Sequence, residues 1–289
     1  MSRINEYSRV TELEGNSQCF VVDSASDGTR SITLDYLAHN AVERFTRNNA
    51  AFRNNIYRPA DLGTVFTEEQ NLALSGNSPK FENLYVGSYW TINGHRYTIA
   101  HFDYWYNRYD KLDNTASTND HHVVLIPLWA STDTPSAPMN DTATTEGGYL
   151  NSKMYTEYLS SIRQTIEADW GNHILTHREC FTNATTDGYS TGHLWVDSKI
   201  DLMNEYMLHG SFIHSASYNS YSHDRVTADL DQLAIFRLYP RAKRSAAYCW
   251  LRDIVSPTEF ASGSSTGLAA VCTANADRAI RPVFAIKAT

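Results

Sequence analysis

The strongest constraint on the fold is an Asn-Gly pair between two runs of β-branched and aromatic residues. Asn93-Gly94 is the preferred pair for a two-residue type I′ turn, and the runs Tyr89–Ile92 and His95–Ile99 flank it. The run Val123–Pro127 is typical of a strand that is buried on both faces. An antiparallel hairpin beside a buried strand is therefore expected near the middle of the chain.

The C-terminal part of the chain places two apolar runs around a polar segment. Tyr248–Asp253 and Ile280–Ile286 have the composition of strands, whereas Ser262–Asp277 holds mainly small and polar residues. This pattern predicts a loop that a sheet displays to solvent, with Ser264 and Asn275 as candidate ligand contacts.

Helical spacing appears in three places within residues 51–289. Thr67 begins a capping box for a short helix, and Met154–Trp170 carries its apolar residues along one helical face. A further helix is expected over Ser198–Leu208. Long polar stretches, Pro135–Gly148 and Ser215–Asp229, separate the elements. The prediction is an α+β domain with a mainly antiparallel sheet, two main helices and long loops.

Residues 1–50 are predicted to form a separate unit. Cys19–Asp23 and Arg30–Thr33 flank a turn at Asp27-Gly28, and Thr33 is placed to cap an amphipathic helix that extends to Asn49. A hairpin and one helix cannot bury an apolar face alone, so this unit is expected to dock either on the rest of the chain or on a partner protein. Residues 51–289 form the second predicted domain.

Composition excludes several classes of function. The net charge is −8, and the longest basic run is Arg241–Arg244, so nucleic-acid binding is not expected. No apolar run spans a membrane, and the first 25 residues lack a secretory core, which predicts synthesis in a cytoplasm without membrane insertion. The 18 tyrosines suit either an adhesive surface or a β-rich fold. The cysteines are expected to be reduced, and a Cys249–Cys272 bridge stays open.

Motifs for catalysis or metal binding are weak, so we expect no enzyme, metal or cofactor. His173 and His177 have a zinc-compatible helical spacing, but the accompanying glutamate is missing. In Asp120-His121-His122, one imidazole is expected to satisfy a buried hydrogen bond. Arg252, Asp253 and Arg281 are expected to form structural ion pairs. A hydrolase would need two facing carboxylates, with Asp103, Asp110, Asp113, Asp224 and Asp229 as candidates.

The order of these elements resembles a C-type-lectin-like domain of phage and gut-bacterial proteins, related in fold to the formylglycine-generating and sulfatase-modifying family. The resemblance covers residues 50–289. It rests on the segments Val86–Gly94, Ala100–Trp105, His121–Val124, Met139-Asn140, Gly147–Tyr149, His173–Glu179, Trp250–Asp253 and Ile280–Ile286. Its signature residues are Trp90, Asn93, Gly94, Trp250, Arg252, Arg281 and Pro282. The calcium motifs of the lectins and the cysteine motif of the enzymes are absent, so no catalytic or metal-binding role is carried over.

The first 45 residues resemble the short anchor of phage fibre and head-decoration proteins. The candidate anchor residues are Leu13, Phe20, Val22, Asp23 and Leu37. The resemblance implies a structural virion protein on the outer particle surface, namely a head fibre or capsid-decoration protein that contacts other virion proteins. Homo-oligomers, with the trimer as the expected form, and adhesion to host or mucosal glycans are implied.

Candidate ligand contacts outside the C-terminal segment lie in a tyrosine-rich stretch. The full set of candidates is Tyr218, Tyr221, His223, Ser264 and Asn275. Aromatic faces beside small hydrogen-bonding side chains suit sugars or protein surfaces. A tail fibre or receptor-binding protein is an alternative within the same class, and a polysaccharide or cell-wall hydrolase is the alternative from another class.

Overall fold

The computed structural model describes residues 18–23, 28–33, 56–110, 115–128, 134–182, 185–186, 189–190, 193–215 and 231–289. The chain divides into two compact units, Met1–Ala50 and Ala51–Thr289. In the first unit, β1 (Gln18–Asp23) pairs antiparallel with β2 (Gly28–Thr33), as the sequence predicts. Phe20, Val22 and Asp23 lie on β1. Leu13, Leu37 and the predicted helix of residues 34–49 lie outside the described residues.

The second unit contains short helices and many short strands. The helices are α1 (Glu68–Leu74), α2 (Leu159–Trp170), α3 (Glu205–His209) and α4 (Ala234–Leu238). The strands are β3 (Tyr89–Ile92), β4 (His95–Phe102), β5 (Tyr109–Asp110), β6 (Thr115–Ala116), β7 (Val123–Leu128), β8 (Ser136–Ala137), β9 (His177–Thr182), β10 (Thr185–Thr186), β11 (Tyr189–Ser190), β12 (His193–Ser198), β13 (Ile200–Leu202), β14 (Cys249–Ser256), β15 (Glu259–Gly263), β16 (Ala269–Thr273), β17 (Arg278–Ala279) and β18 (Pro282–Ile286). Among the described residues, no helix has the length and apolar character needed to cross a membrane.

Two five-stranded sheets organise this unit. The first sheet has the order β13-β18-β7-β4-β3, and the second has the order β16-β15-β14-β17-β8. Their strand pairs are antiparallel, except that β14 and β17 run parallel. The pairs β5-β6, β9-β12 and β10-β11 stand outside these sheets. The unit is therefore a mixed α+β structure with mainly antiparallel sheets, as the sequence predicts at that level.

The β3–β4 hairpin turns at the predicted Asn-Gly pair. Asn93 and Gly94 have φ values of 50° and 85°, and two successive positive values are what a type I′ turn requires. The buried carboxylate of Asp169 fixes this hairpin to the end of α2. It accepts hydrogen bonds from Asn93 Nδ2 at 2.8 Å and from the Tyr97 hydroxyl at 2.5 Å.

The predicted long helix over residues 154–170 is present, but its first turn differs from an α-helix. Met154–Tyr158 is a π-helical turn that leads into α2. The apolar face of α2 is buried, and Trp170 at its end packs edge-to-face against Trp90 and Tyr97, with ring centroids 5.5 and 5.6 Å apart. This aromatic contact joins α2 to the first sheet.

The prediction of a helix over residues 198–208 is wrong for most of that segment. Ser198 ends β12, and β13 pairs with β18 at the edge of the first sheet. The helical part is only α3, which begins after Asn204, whose Oδ1 accepts a hydrogen bond from the backbone N–H of Met207 at 2.7 Å. Sheet pairing and this N-cap override the helical spacing of Leu202 and Met203, both of which are fully buried.

The displayed loop predicted over residues 262–277 is also wrong, because most of this segment belongs to a hairpin. It contains the end of β15 and all of β16, which pair in register from Glu259–Thr273 to Gly263–Ala269. Small residues here reflect close packing. A Cβ on Gly263 would lie 2.8 Å from Leu208 Cδ2, so the sheet lies against α3 at this position.

Candidate recognition surface and its internal frame

Two tyrosine rings stack on the surface of the second unit. The ring centroids of Tyr57 and Tyr239 lie 4.7 Å apart, with 14° between the ring planes. Each tyrosine is 37% exposed, and the adjacent Ile56 and Leu238 are 50% and 38% exposed. Exposed apolar side chains that occur together, rather than singly, mark surfaces that contact another molecule.

Backbone contacts hold both rings in place. The segment at Tyr57 forms a parallel bridge with Val86, and Tyr239 follows α4, where its N–H donates to the carbonyl of Ile235 at 2.9 Å. The Tyr57 ring also lies directly over Gly87. A Cβ at position 87 would be 2.5 Å from Tyr57 Cε2, and the φ of Gly87 is 90°, so only glycine suits this position.

Two arginines extend this surface along neighbouring tyrosines. The guanidinium of Arg96 lies 3.5 Å from the centroid of the Tyr89 ring, and that of Arg58 lies 4.9 Å from the Tyr85 ring. Neither arginine forms an ion pair with any described residue. Burial and the Tyr239 hydroxyl raise the pKa of Tyr57, and the charge of Arg96 opposes that rise.

We name this region the Tyr–Arg surface. It consists of Tyr57, Tyr85, Tyr89, Tyr239, Arg58 and Arg96. Flat aromatic faces contact the apolar faces of sugar rings, and guanidinium groups bind carboxylates through paired hydrogen bonds. The arrangement therefore suits a ligand that combines flat apolar faces with negative charge.

The interior contains a set of buried polar contacts made by Glu179, Arg252, His177, His122, His101 and Glu205, which we call the frame. A buried ion pair forms its centre. Arg252 Nη2 donates to Glu179 Oε1 at 2.6 Å, as expected for a structural arginine, and the two side chains are 3% and 1% exposed. Trp105 Nε1 donates to the same oxygen at 3.3 Å, and His177 Nε2 lies 3.1 Å from Glu179 Oε2. Burial raises the pKa of Glu179, but Arg252 and His177 outweigh that effect and hold the pKa well below its usual range.

Two buried histidines act as neutral hydrogen-bond acceptors in the same frame. His122 Nε2 accepts from the backbone N–H of Trp105 at 3.1 Å, which confirms that one imidazole of the 121–122 pair satisfies a buried donor. His101 Nδ1 accepts from the N–H of Ala234 at 3.0 Å. Burial lowers the pKa of His122 to about 4 and that of His101 to about 3.

A second buried carboxylate fixes the start of a long connection. Glu205 is fully buried, and its oxygens accept from the backbone N–H groups of Ile213 at 3.0 Å, His214 at 3.0 Å and Ser215 at 2.8 Å. On the far side of residues 216–230, the Tyr104 hydroxyl donates to the carbonyl of Asp231 at 2.9 Å. Both flanks of this connection are therefore tied to the frame.

The structure does not support the zinc spacing of the two histidines. His173 lies in a 3₁₀ turn and His177 in β9, so the two do not share a helical face. Across the described part of the chain, no group of three His, Cys, Asp or Glu residues is placed to hold a metal ion.

Most signature residues of the resemblance lie in the interior, whereas Asn93 and Gly94 are exposed in the β3–β4 turn. Trp90 and Trp250 are fully buried, and their indole N–H groups donate to Gln70 Oε1 at 2.9 Å and to the Ala137 carbonyl at 2.8 Å. Arg281 is 5% exposed and donates to the Ala242 carbonyl at 2.9 Å, and Pro282 begins β18. These residues therefore stabilise the fold and do not face a ligand.

The predicted ligand contacts do not come together as one described site. Tyr218, Tyr221 and His223 lie outside the described residues. Ser264 is 7% exposed, and its Oγ accepts from the N–H of Leu268 at 3.0 Å within the β15–β16 turn, so it is not a displayed contact. Asn275 is exposed in the turn after β16.

The disulfide between Cys249 and Cys272 that the sequence left open is not formed. Cys249 and Cys272 are both buried and unbridged, because β15 lies between the strands that carry them.

Sequence reasoning missed the Tyr–Arg surface because its members lie far apart along the chain. The high tyrosine content was the available signal, but no local pattern joins Tyr57 to Tyr239. Comparison with known proteins adds no assignment, since no family model, curated protein or solved structure matches the chain.

Proposed function

We propose that this chain is a non-enzymatic structural protein of a bacteriophage virion, a head fibre or capsid-decoration protein. Residues 51–289 would form an outward C-type-lectin-like domain, and residues 1–50 would attach it to other virion proteins. The proposal draws on the sequence resemblance. It is supported by a mixed α+β unit whose signature residues Trp90 and Trp250 are core residues, and by a hairpin in the N-terminal unit.

The observation that carries the recognition role is the Tyr–Arg surface. Its stacked pair, Tyr57 and Tyr239, is partly exposed, and Arg58 and Arg96 add positive charge without carboxylate partners among the described residues. In a chain of net charge −8, such a local surface favours an acidic partner. The proposed ligand is an acidic polysaccharide of the host or mucosal surface.

The internal frame supports display in preference to catalysis. The buried carboxylates of Glu179, Glu205 and Asp169 each accept several hydrogen bonds from the fold itself. A general acid or base must reach its substrate. These groups instead hold segments of the fold to one another.

Binding to a defined acidic polysaccharide tests the recognition role. We expect the full chain to bind polygalacturonate more tightly than neutral dextran, and Tyr239→Ala and Arg96→Gln each to weaken binding about tenfold or more. Tyr248→Ala is the matched control, since Tyr248 is 41% exposed beside Arg278 but lies outside the Tyr–Arg surface. Equal losses in all three variants, or equal binding of both polysaccharides, would reject this role.

Particle incorporation tests the structural role separately. Removal of residues 1–50 should abolish incorporation into virions while the remainder stays soluble. Incorporation that survives the deletion would contradict the anchor. Release of reducing ends from the polysaccharide by the full chain would favour the hydrolase alternative.

A further inference from the structure

The two five-stranded sheets differ in how their edges are protected. At the β3 edge, the segment 60–63 adds main-chain hydrogen bonds, including Leu62 N–H to the Tyr89 carbonyl at 2.8 Å and Thr91 N–H to the Gly63 carbonyl at 2.9 Å. The opposite edge, β13, has three residues, all of them buried. In the second sheet, the β8 edge has two residues, whereas the β16 edge has five.

Along β16, alternate residues direct their main-chain N–H and C=O groups away from β15, toward the open edge of the sheet. At the ends of the hairpin, Ser264 N–H donates to the Leu268 carbonyl at 2.8 Å and Ala274 N–H to the Thr258 carbonyl at 2.9 Å. Hydrogen-bonded pairs alternate along an antiparallel ladder, so Ala270 and Cys272 face β15. The N–H and C=O groups of Val271 therefore point to the open edge, where no described strand lies.

The side chains at this edge are apolar and carry no charge. Leu268 is 69% exposed, more than the other exposed large hydrophobic residues of the described chain, and Val271 is 37% exposed. Residues 268–273 read Leu-Ala-Ala-Val-Cys-Thr and include no lysine, proline or glycine. Monomeric proteins usually block a long edge with a charged residue, a proline or a bulge.

We propose that β16 is a self-association strand that pairs antiparallel with β16 of a second copy, about a two-fold axis at Val271. An isologous pair brings each residue against its own counterpart on the other side of the axis. Because the strand is uncharged, this pairing meets no like-charge repulsion, and it extends the second sheet across both copies. The pairing rests on the homo-oligomer expected of the proposed virion protein, with a two-fold dimer in place of the expected trimer, and it does not depend on a glycan.

Cysteine cross-linking tests the pairing geometry. Directly opposed residues in a hydrogen-bonded antiparallel pair have Cα atoms about 5.5 Å apart, which suits a disulfide. We expect purified full-length Val271→Cys to form a covalent dimer under mild oxidation. Leu72→Cys is the control, because Leu72 is 61% exposed on α1, away from this edge. No covalent dimer, or equal dimer from both variants, would overturn the proposal.

Sedimentation equilibrium supplies an independent measurement. Val271→Lys places a charge against its own counterpart, so the dimer dissociation constant should rise at least tenfold, while Leu72→Lys should leave it unchanged. Circular dichroism confirms that each variant is folded. A monomeric wild-type chain, or a dimer insensitive to Val271→Lys, would reject edge pairing. Neither assay uses particles or polysaccharide, so its failure is distinct from failure of the proposed function.

Discussion

Arg252 and Arg96 carry the same charge, but the protein surrounds them differently. Arg252 is 4% exposed and pairs with Glu179 at 2.6 Å, whereas Arg96 is exposed and lies over the Tyr89 ring. The first arginine has its counter-charge inside the fold. The second has only an aromatic face among the described residues.

This difference separates residues that hold the frame from residues available to a ligand. Removing one partner of a buried ion pair leaves an uncompensated charge, whereas removing an exposed charge leaves only water. Stability and binding measurements should therefore respond to different arginines. Single substitutions can test whether stability and binding depend on different arginines.

Arg252→Ala should destabilise the fold by about 3–5 kcal/mol, because it leaves Glu179 buried without its main partner. Urea denaturation measures the loss, and Arg96→Ala should stay within about 0.5 kcal/mol of wild type. Replacing both partners by apolar residues, Glu179→Leu with Arg252→Met, should cost less than Arg252→Ala alone. Equal costs for the two single arginine variants would contradict the distinction.

The buried histidines should make the frame sensitive to acid. Burial lowers the pKa of His101 to about 3 and that of His122 to about 4, against an ordinary 6.5. The unfolded chain binds more protons between these values, so their contribution is full above about pH 6.5 and falls as pH decreases. Each imidazole should contribute a slope of about 1.4 kcal/mol per pH unit.

Urea unfolding at pH 7, 6 and 5 measures this slope. Between pH 6 and pH 5, His101→Gln should reduce this slope by about 1 kcal/mol per pH unit, because one ring with a lowered pKa is then missing. Stability that does not change between pH 7 and pH 5 would contradict this account of the frame.

Gly87→Ala should cost more than Gly94→Ala, although both glycines have positive φ values. Backbone strain of about 1 kcal/mol applies to each, but only the Cβ at position 87 would collide with Tyr57. Thermal unfolding should show the difference, and polygalacturonate binding should fall only for Gly87→Ala. Equal loss of binding in both variants would show that Gly87 does not act on binding through the Tyr–Arg surface.

Local sequence patterns predicted the elements whose causes are local. The turn at Asn93-Gly94 follows from backbone preferences, and the helix cap at Thr67 follows from one side chain that accepts a hydrogen bond from Gln70 N–H. The hairpin that contains β16 was missed because its small residues resemble those of a loop. Their size instead permits close contact with Leu208, which only the folded chain reveals.

Most of the candidate site could not be predicted because it depends on distant contacts. Nothing near Glu179 in the sequence indicates that Arg252 will neutralise it. Likewise, Tyr57 and Tyr239 stack only because the first lies along Val86 and the second follows α4. The residue types indicated which kinds of contact were available, but the three-dimensional fold determined which residues meet.

The hydrogen bonds that the Glu205 carboxylate accepts affect which sequence changes this protein tolerates. Ser215 is held by that carboxylate and Asp231 by the Tyr104 hydroxyl, so the frame specifies both flanks of residues 216–230 without using their side chains in any of these bonds. Changes to the side chains of Ile213 and His214 should therefore be tolerated, whereas loss of the single carboxylate of Glu205 would release the N–H groups of Ile213, His214 and Ser215 together.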